Sequence, residues 1–301
     1  MEMKFRAHET FFIRKGWISK GMRNVEKSHG EVFVDKNENP MDVLGIGANM
    51  VKSLRFWLQA IGVTEEAKSG KRVQSFTDLG KLVYEHDKYI EEFGTLYLLH
   101  YKLATNIELA TSWYFFFNEF ALSDFTKEDF AQQIGNYIKI KDKDASVAVR
   151  SIEDDFSCII NTYVPRYKTS SSKVSAENNI DCPFGELGLI DILKKEHNNV
   201  VYKKSIPAAS TFNPWVILAV IHANARGRKE IGLNELLTAE NNIGKIFNLD
   251  SITMLDILHS AERTGELKII RTAGLDVINL YHTYSFEECV RRYYEDIERA
   301  D

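Results

Sequence analysis

No run of about 18 apolar residues, the length a membrane-spanning helix needs, occurs anywhere in the chain. The opening MEMKFRAHET lacks the apolar stretch and small-residue cleavage site of an export signal, so a cytoplasmic protein with no membrane partner is expected. Cysteine is scarce. Cys158, Cys182 and Cys289 are odd in number, far apart and outside any CxxC pattern, which argues against a disulfide framework and a zinc finger and leaves reduced, buried thiols. Motifs of known chemistry are missing too: there is no HExxH, no nucleophile elbow and no paired metal pattern. The glycine-containing GIGAN lacks the Lys-Ser/Thr pair of a phosphate-binding loop, so no nucleotide cofactor is expected. A net charge of −5 argues against a uniform cationic coat but not against a local basic face.

What is present suits a folded chain: 44% hydrophobic and 27% charged residues over 301 positions, enough for two or three units. The charge is unevenly spread. Residues 1–60 hold 10 Lys+Arg against 7 Asp+Glu, a net of +3, so the other 241 residues carry −8. The N-terminal segment is therefore the better candidate for meeting phosphate.

Apolar spacing sets out the elements. Met50, Leu54, Trp57 and Leu58 recur at helical steps in a helix beginning near Gly47 or Asn49, with Lys52 and Arg55 on another face. Phe12 to Arg23 reads as a preceding helix, joined through the polar GEVFVDKNENP, and together they resemble a helix-turn-helix pair. Ser75 or Thr77 caps the next helix, and Thr95 opens an apolar one. The aromatic run Trp113 to Phe120 reads as a core helix rather than a base-stacking platform. Thr126 to Tyr137 and Ser146 to Tyr163 are further helices around a charged linker, and 168–179 is a loop or boundary. Asn213-Pro214 starts a helix, 232–238 a second, and Asp250 to Thr264 a third that stops at Gly265. LKIIRT and DVINLY then form a hairpin before a closing helix, Phe286 to Arg299. The predicted fold is mainly α, with winged-helix or helix-turn-helix-like units at both ends and small β-hairpins. The predicted units are a DNA-binding part over 1–105, a central helical part over 106–170 and a winged-helix-like part over 180–301.

Three constellations carry chemistry. RAHETFFIRKGWISKGMR gathers His8, Glu9, Arg14, Lys15, Lys20 and Arg23. Phosphodiester cleavage needs a group that activates water and a cation that stabilises the phosphorane, and His8, Glu9 and Arg14 are of those types. Neighbouring His and Glu share a site only if the backbone turns between them. In LGIGANMVKSLRFWL, Asn49, Lys52 and Arg55 sit on a helix start suited to phosphate. Near the C-terminus, Arg226, Arg228 and Lys229 fall in a turn of the winged-helix pattern, but the helix in the recognition position is acidic, which favours contact with protein over DNA. The run Glu153, Asp154 and Asp155 fans around a helix and is expected to face solvent, and His100 is expected to be a hydrogen-bonded core residue.

Through AHETFFIRKGW, LGIGANMVKSLRFWL, FTDLGKLVYEHDKYIEEFGTLYLLHYKLA and DCPFGELGLI, the chain resembles over nearly its whole length a bacterial family of unknown function. Members of that family look like the SspB nicking component of single-strand DNA phosphorothioation and phage-defence gene clusters. The resemblance implies a role in replacing a phosphate oxygen of DNA by sulfur, beside a cysteine desulfurase, an ATPase and an ATP-pyrophosphatase. It marks the segments around His8, Asn49, His100 and Asp181 without assigning them roles. Three functions follow as expectations. The first is a DNA nickase using Mg²⁺ or Mn²⁺, with Arg14, Lys20, Lys52 and Arg55 on phosphates and His8 and Glu9 in the chemistry. The second is a non-catalytic adaptor that brings DNA to the sulfur-transfer enzymes, and the third is a winged-helix regulator.

Overall fold

The computed structural model describes residues 3–165, 182–196, 199–272 and 275–300. The expected loop at 168–179 and Asp181 lie outside them. The N-terminal segment folds back on itself through left-handed backbone at Arg6, Glu9 and Thr10. Helix α1 (Trp17–Lys27) follows. It starts five residues later than its apolar pattern suggests, because Gly16 takes a left-handed φ of 82° that a helix cannot contain. The polar connection holds a short helix of its own, α2 (Pro40–Leu44), capped by the Asn39 side chain and ended by left-handed Gly45. Helix α3 (Ala48–Ala60) buries Leu54, Trp57 and Leu58 as its periodicity predicts. Strands β1 (Thr64–Glu66) and β2 (Gln74–Phe76) pair antiparallel with Glu65 opposite Ser75. Helix α4 (Asp78–His86) then opens at Thr77, whose hydroxyl accepts from the Gly80 amide at 2.9 Å.

The middle of the chain supplies the core. Helix α5 (Phe93–Thr105) and helix α6 (Thr111–Asn118) are apolar nearly all round and are buried accordingly. The Trp113–Phe120 aromatics are indeed core: Phe116 and Phe120 pack against Phe125 and Phe130 of the following strand β3 (Asp124–Phe125) and helix α7 (Lys127–Lys141), and Phe117 packs against His100 of α5. A reciprocal Thr126–Asp129 capping box starts α7. It extends through residues assigned to a linker, because Ile134 and Ile138 still face the core. Helix α8 (Val149–Tyr163) closes this part.

Strands β4 (Ile190–Glu196) and β5 (Asn199–Lys204), not foreseen in the sequence, join β3 in a sheet of order β3-β5-β4. Helix α9 (Pro214–Ala225), β6 (Glu230–Gly232), α10 (Leu233–Thr238), α11 (Ile243–Ile246), α12 (Ser251–Glu262), β7 (Leu267–Thr272), β8 (Leu275–Leu280) and α13 (Phe286–Ala300) follow, with another three-stranded sheet of order β6-β8-β7. The fold is thus mainly α with small antiparallel sheets. One hydrophobic cluster runs from Ile13 to Tyr294 through all three expected units. Bonds between distant segments tie it, such as Thr95 with Tyr294 at 2.9 Å. Cys158, Cys182 and Cys289 are buried and form no disulfide among the described residues, and burial pushes the Cys289 thiol up to about 12. Among the described residues no helix is long and apolar enough to cross a membrane.

Candidate nucleic-acid interface

The backbone turns at His8 and Glu9, and it sends the two side chains to different places. His8 is 1% exposed. Its ring stacks on Trp57, meets the edge of Trp113 and donates from Nε2 to Asp155 Oδ1 at 2.8 Å. Asp155 also accepts the Arg6 amide at 2.8 Å and the Ser112 hydroxyl at 2.5 Å, so its buried carboxylate has three donors. The acidic run on α8 is therefore not wholly solvated: Asp155 turns inward, and Asp154 takes the Arg6 guanidinium at 2.8 Å. Buried His8 Nδ1 has no partner among the described residues. Ser112 bonds the carboxylate rather than the imidazole, so the trio is not arranged as an activated serine.

Glu9 instead lines a cleft of about 520 Å³ between the N-terminal segment, α3 and the β1–β2 hairpin. Lys4, Lys52, Arg55, Lys68 and Arg72 line it too, five cations against the two carboxylates of Glu9 and Glu66, over a floor that includes Phe56. Lys52 reaches it because α3 buries the opposite face, and Lys68 and Arg72 come from the hairpin turn. Arg55 is committed: it donates from Nε to Glu66 at 2.6 Å and from Nη2 to the Arg72 carbonyl at 3.1 Å. Glu66 receives Gln59 at 3.0 Å and Gln74 at 3.3 Å as well, so this carboxylate is neutralised and the hairpin is clamped to α3. Lys4, Lys52, Lys68 and Arg72 make no ion pair among the described residues and are exposed. Unpaired cations on a concave wall raise its positive potential and suit it to a phosphate chain.

The other expected residues are dispersed. Lys20 and Arg23 border a separate groove with Lys27 and Asp42, where Lys20 Nζ donates to the Leu44 carbonyl at 3.0 Å. Arg14 and Lys15 sit in a third hollow at the start of α1, the Arg14 guanidinium lying over the Phe11 and Trp17 rings. Asn49 is exposed on the first turn of α3. Arg226 and Lys229 are exposed, while Arg228 is paired with Glu235. The structure thus brings Glu9, Lys52 and Arg55 together and separates them from His8, from the α1 cations and from the C-terminal ones. Lys4, Lys68 and Arg72 were missed. The signal for two of them was the basic, glycine-containing turn KSGKR at 68–72.

Among the described residues no three His, Cys, Asp or Glu side chains converge as a metal cluster. The carboxylates that approach one another on α8 are taken up by Arg6, His8 and Ser112. His100, by contrast, is the core histidine its apolar helix predicts. Nε2 donates to the Ile246 carbonyl and Nδ1 accepts from the Tyr163 hydroxyl, both at 2.8 Å, and burial lowers its pKa to about 4.

Comparison with solved structures finds two SspB crystal structures. The magnesium ion-bound one matches with a TM-score of 0.78 at 24% identity over 99% of this chain and 96% of that one. A second, described as SspB, matches with a TM-score of 0.79 at 24% identity over 99% of this chain and 95% of the other. At this identity the likeness is one of fold. Comparison with curated proteins finds no match. A family model matches residues 5–294, from the N-terminal segment through most of α13, so the chain belongs to the family described as protein of unknown function (DUF4007).

Proposed function

We propose that the protein is the DNA-binding component of a bacterial DNA phosphorothioation, or phage-defence, system, and that it holds the phosphate backbone in the cleft of Lys4, Lys52, Lys68 and Arg72. The observation that carries this reading is four exposed cations, without ion-pair partners among the described residues, lining one cleft. The fold shared with SspB supports the biological setting. Arg55 acts here by fixing the hairpin that presents Arg72. The run of elements from α9 to β8 is read as a winged-helix unit. Its acidic α12 suits a protein surface better than DNA, so the sulfur-transfer proteins of the same cluster are the partners proposed for it. Fluorescence anisotropy with labelled DNA tests the cleft. Lys52→Ala with Arg72→Ala is expected to weaken binding at least tenfold, and unchanged affinity overturns the assignment.

A second reading, a nicking endonuclease, is favoured by the magnesium ion-bound state of one SspB relative. Glu9 is the one carboxylate of the cleft without a partner among the described residues, which makes it the candidate group for chemistry. His8 is then a positioning residue, which backs the cleft floor through Trp57 and Phe56. Relaxation of supercoiled plasmid with Mg²⁺, Mn²⁺ or EDTA separates the readings. Metal-dependent open circles that disappear with Glu9→Gln establish the nickase, whereas bound but intact plasmid leaves the adaptor, whose chemistry belongs to its partners.

A further inference from the structure

The hollow at the start of α1 has features that DNA-backbone binding in the α3 cleft does not use. It holds about 280 Å³. Helix α1 begins at Gly16 with no side-chain cap and no acidic residue in its first turn. Trp17 donates back to the Arg14 carbonyl and Lys20 to the Gly16 carbonyl, but the Ile18 and Ser19 amides have no acceptor among the described residues. Ser19 is itself 6% exposed and lines the same hollow, and its hydroxyl makes no hydrogen bond among the described residues. A nearly buried hydroxyl and two helix-start amides left without acceptors in one place are an unfilled set of donors. Arg14, held by two aromatic rings, and Lys15 add charge beside them. A side chain at Gly16 would meet no atom of the described residues within 4 Å, so the space beside the helix start is open among them.

From this geometry we infer that the start of α1 is a binding site for a single phosphate group, held by the Ile18 and Ser19 amides, the Ser19 hydroxyl and the Arg14 guanidinium. An anion there accepts from directional donors and meets the positive end of the helix dipole. Glu91 and Glu186 line the hollow too. They oppose a diffuse cloud of anions and are acceptors suited to a hydroxyl, such as that of a sugar carrying the phosphate. The site is distinct from the α3 cleft and stands or falls separately from it.

Amide NMR of the full chain titrated with inorganic phosphate tests it. Saturable shifts of the Ile18 and Ser19 resonances are expected, at least tenfold weaker in Arg14→Gln and in Ser19→Ala, and unchanged in Lys52→Ala. Ser19→Asp places a carboxylate on the free amides, so it is expected to fold with its own cap and to lose the phosphate response. Shifts that chloride at equal ionic strength reproduces, or that persist in Arg14→Gln, overturn the inference. If the cleft variants lose DNA affinity while phosphate leaves Ile18 and Ser19 unmoved, this site fails and the DNA-binding reading survives. Oligonucleotides ending in a 5′-phosphate or a 5′-hydroxyl then identify the source. Preferential binding of the phosphorylated end marks a strand terminus, and equal binding that still depends on Arg14 marks an internal phosphodiester.

Discussion

Asp155 sits on the face of α8 that meets the core and is 1% exposed. Helical spacing fans residues 153–155 around α8, and one of the three must then face the core. That inward position is met by His8 from 147 residues away. Removing one member of a buried pair leaves the other without compensation, which costs about 3 to 5 kcal/mol. Asp155→Ala is therefore expected to lower the urea midpoint strongly, and the double variant His8→Leu/Asp155→Leu to recover part of the loss. Strictly additive losses would mean that the pair is not coupled. No local pattern announces such a partner, so His8 reads from sequence as a candidate for chemistry when its surroundings are aromatic rings and a carboxylate.

His100 gives a pH prediction at the same scale. Its folded pKa, about 4, lies below the ordinary 6.5 because the imidazole is fully buried and its Nδ1 is occupied as an acceptor. Between these values the unfolded chain binds a proton that the folded chain refuses, so stability falls as pH drops through that window. The loss saturates near pH 4 and amounts to on the order of 3 kcal/mol. His100→Phe is expected to flatten this part of a stability-versus-pH curve measured by chemical denaturation. An unchanged slope would assign the acid sensitivity to other groups.

Among elements, the caps were the most legible features. Thr77, the Thr126–Asp129 box, Asn213 and Asp250 all start helices as their side chains allow. The hairpin β7–β8 and the stop at Gly265, φ 80°, were legible for the same local reason. The sheet of β3, β5 and β4 was not, since β3 is two residues long and lies some 80 positions from its partner, with Phe125 opposite Tyr202. Close approach between elements is equally invisible. A methyl group at Gly80 would lie 1.9 Å from the Val63 carbonyl oxygen, where α4 presses on the end of β1. Gly80→Ala is expected to cost about 2 to 3 kcal/mol, because backbone cannot yield as a flexible side chain does. A denaturation midpoint equal to that of the parent would show that the contact is looser.

Over the whole molecule, the mainly α class followed from periodicity, and the concentration of positive charge in residues 1–60 singled out the N-terminal segment as the candidate surface. It did not show which cations share a surface. Lys52 and Arg55 were visible on α3, but Lys4 lies far off in sequence and Lys68 and Arg72 enter only because the β1–β2 hairpin folds back, clamped through Glu66. The expected set therefore divides among several hollows, and the cleft acquires members that no single segment displays.

If these cations hold a phosphate backbone, the affinity for DNA falls steeply with salt, and that dependence is the measurement to make. Each phosphate contact in duplex DNA contributes about 0.9 to the slope of log affinity against log salt. The variant Lys4→Ala/Lys52→Ala/Lys68→Ala/Arg72→Ala, checked by circular dichroism for an intact fold, is expected to bind more weakly on every sequence and to flatten that slope by about 3 to 4. A folded variant with the parental affinity and slope would contradict the account and move the DNA to another face of the protein.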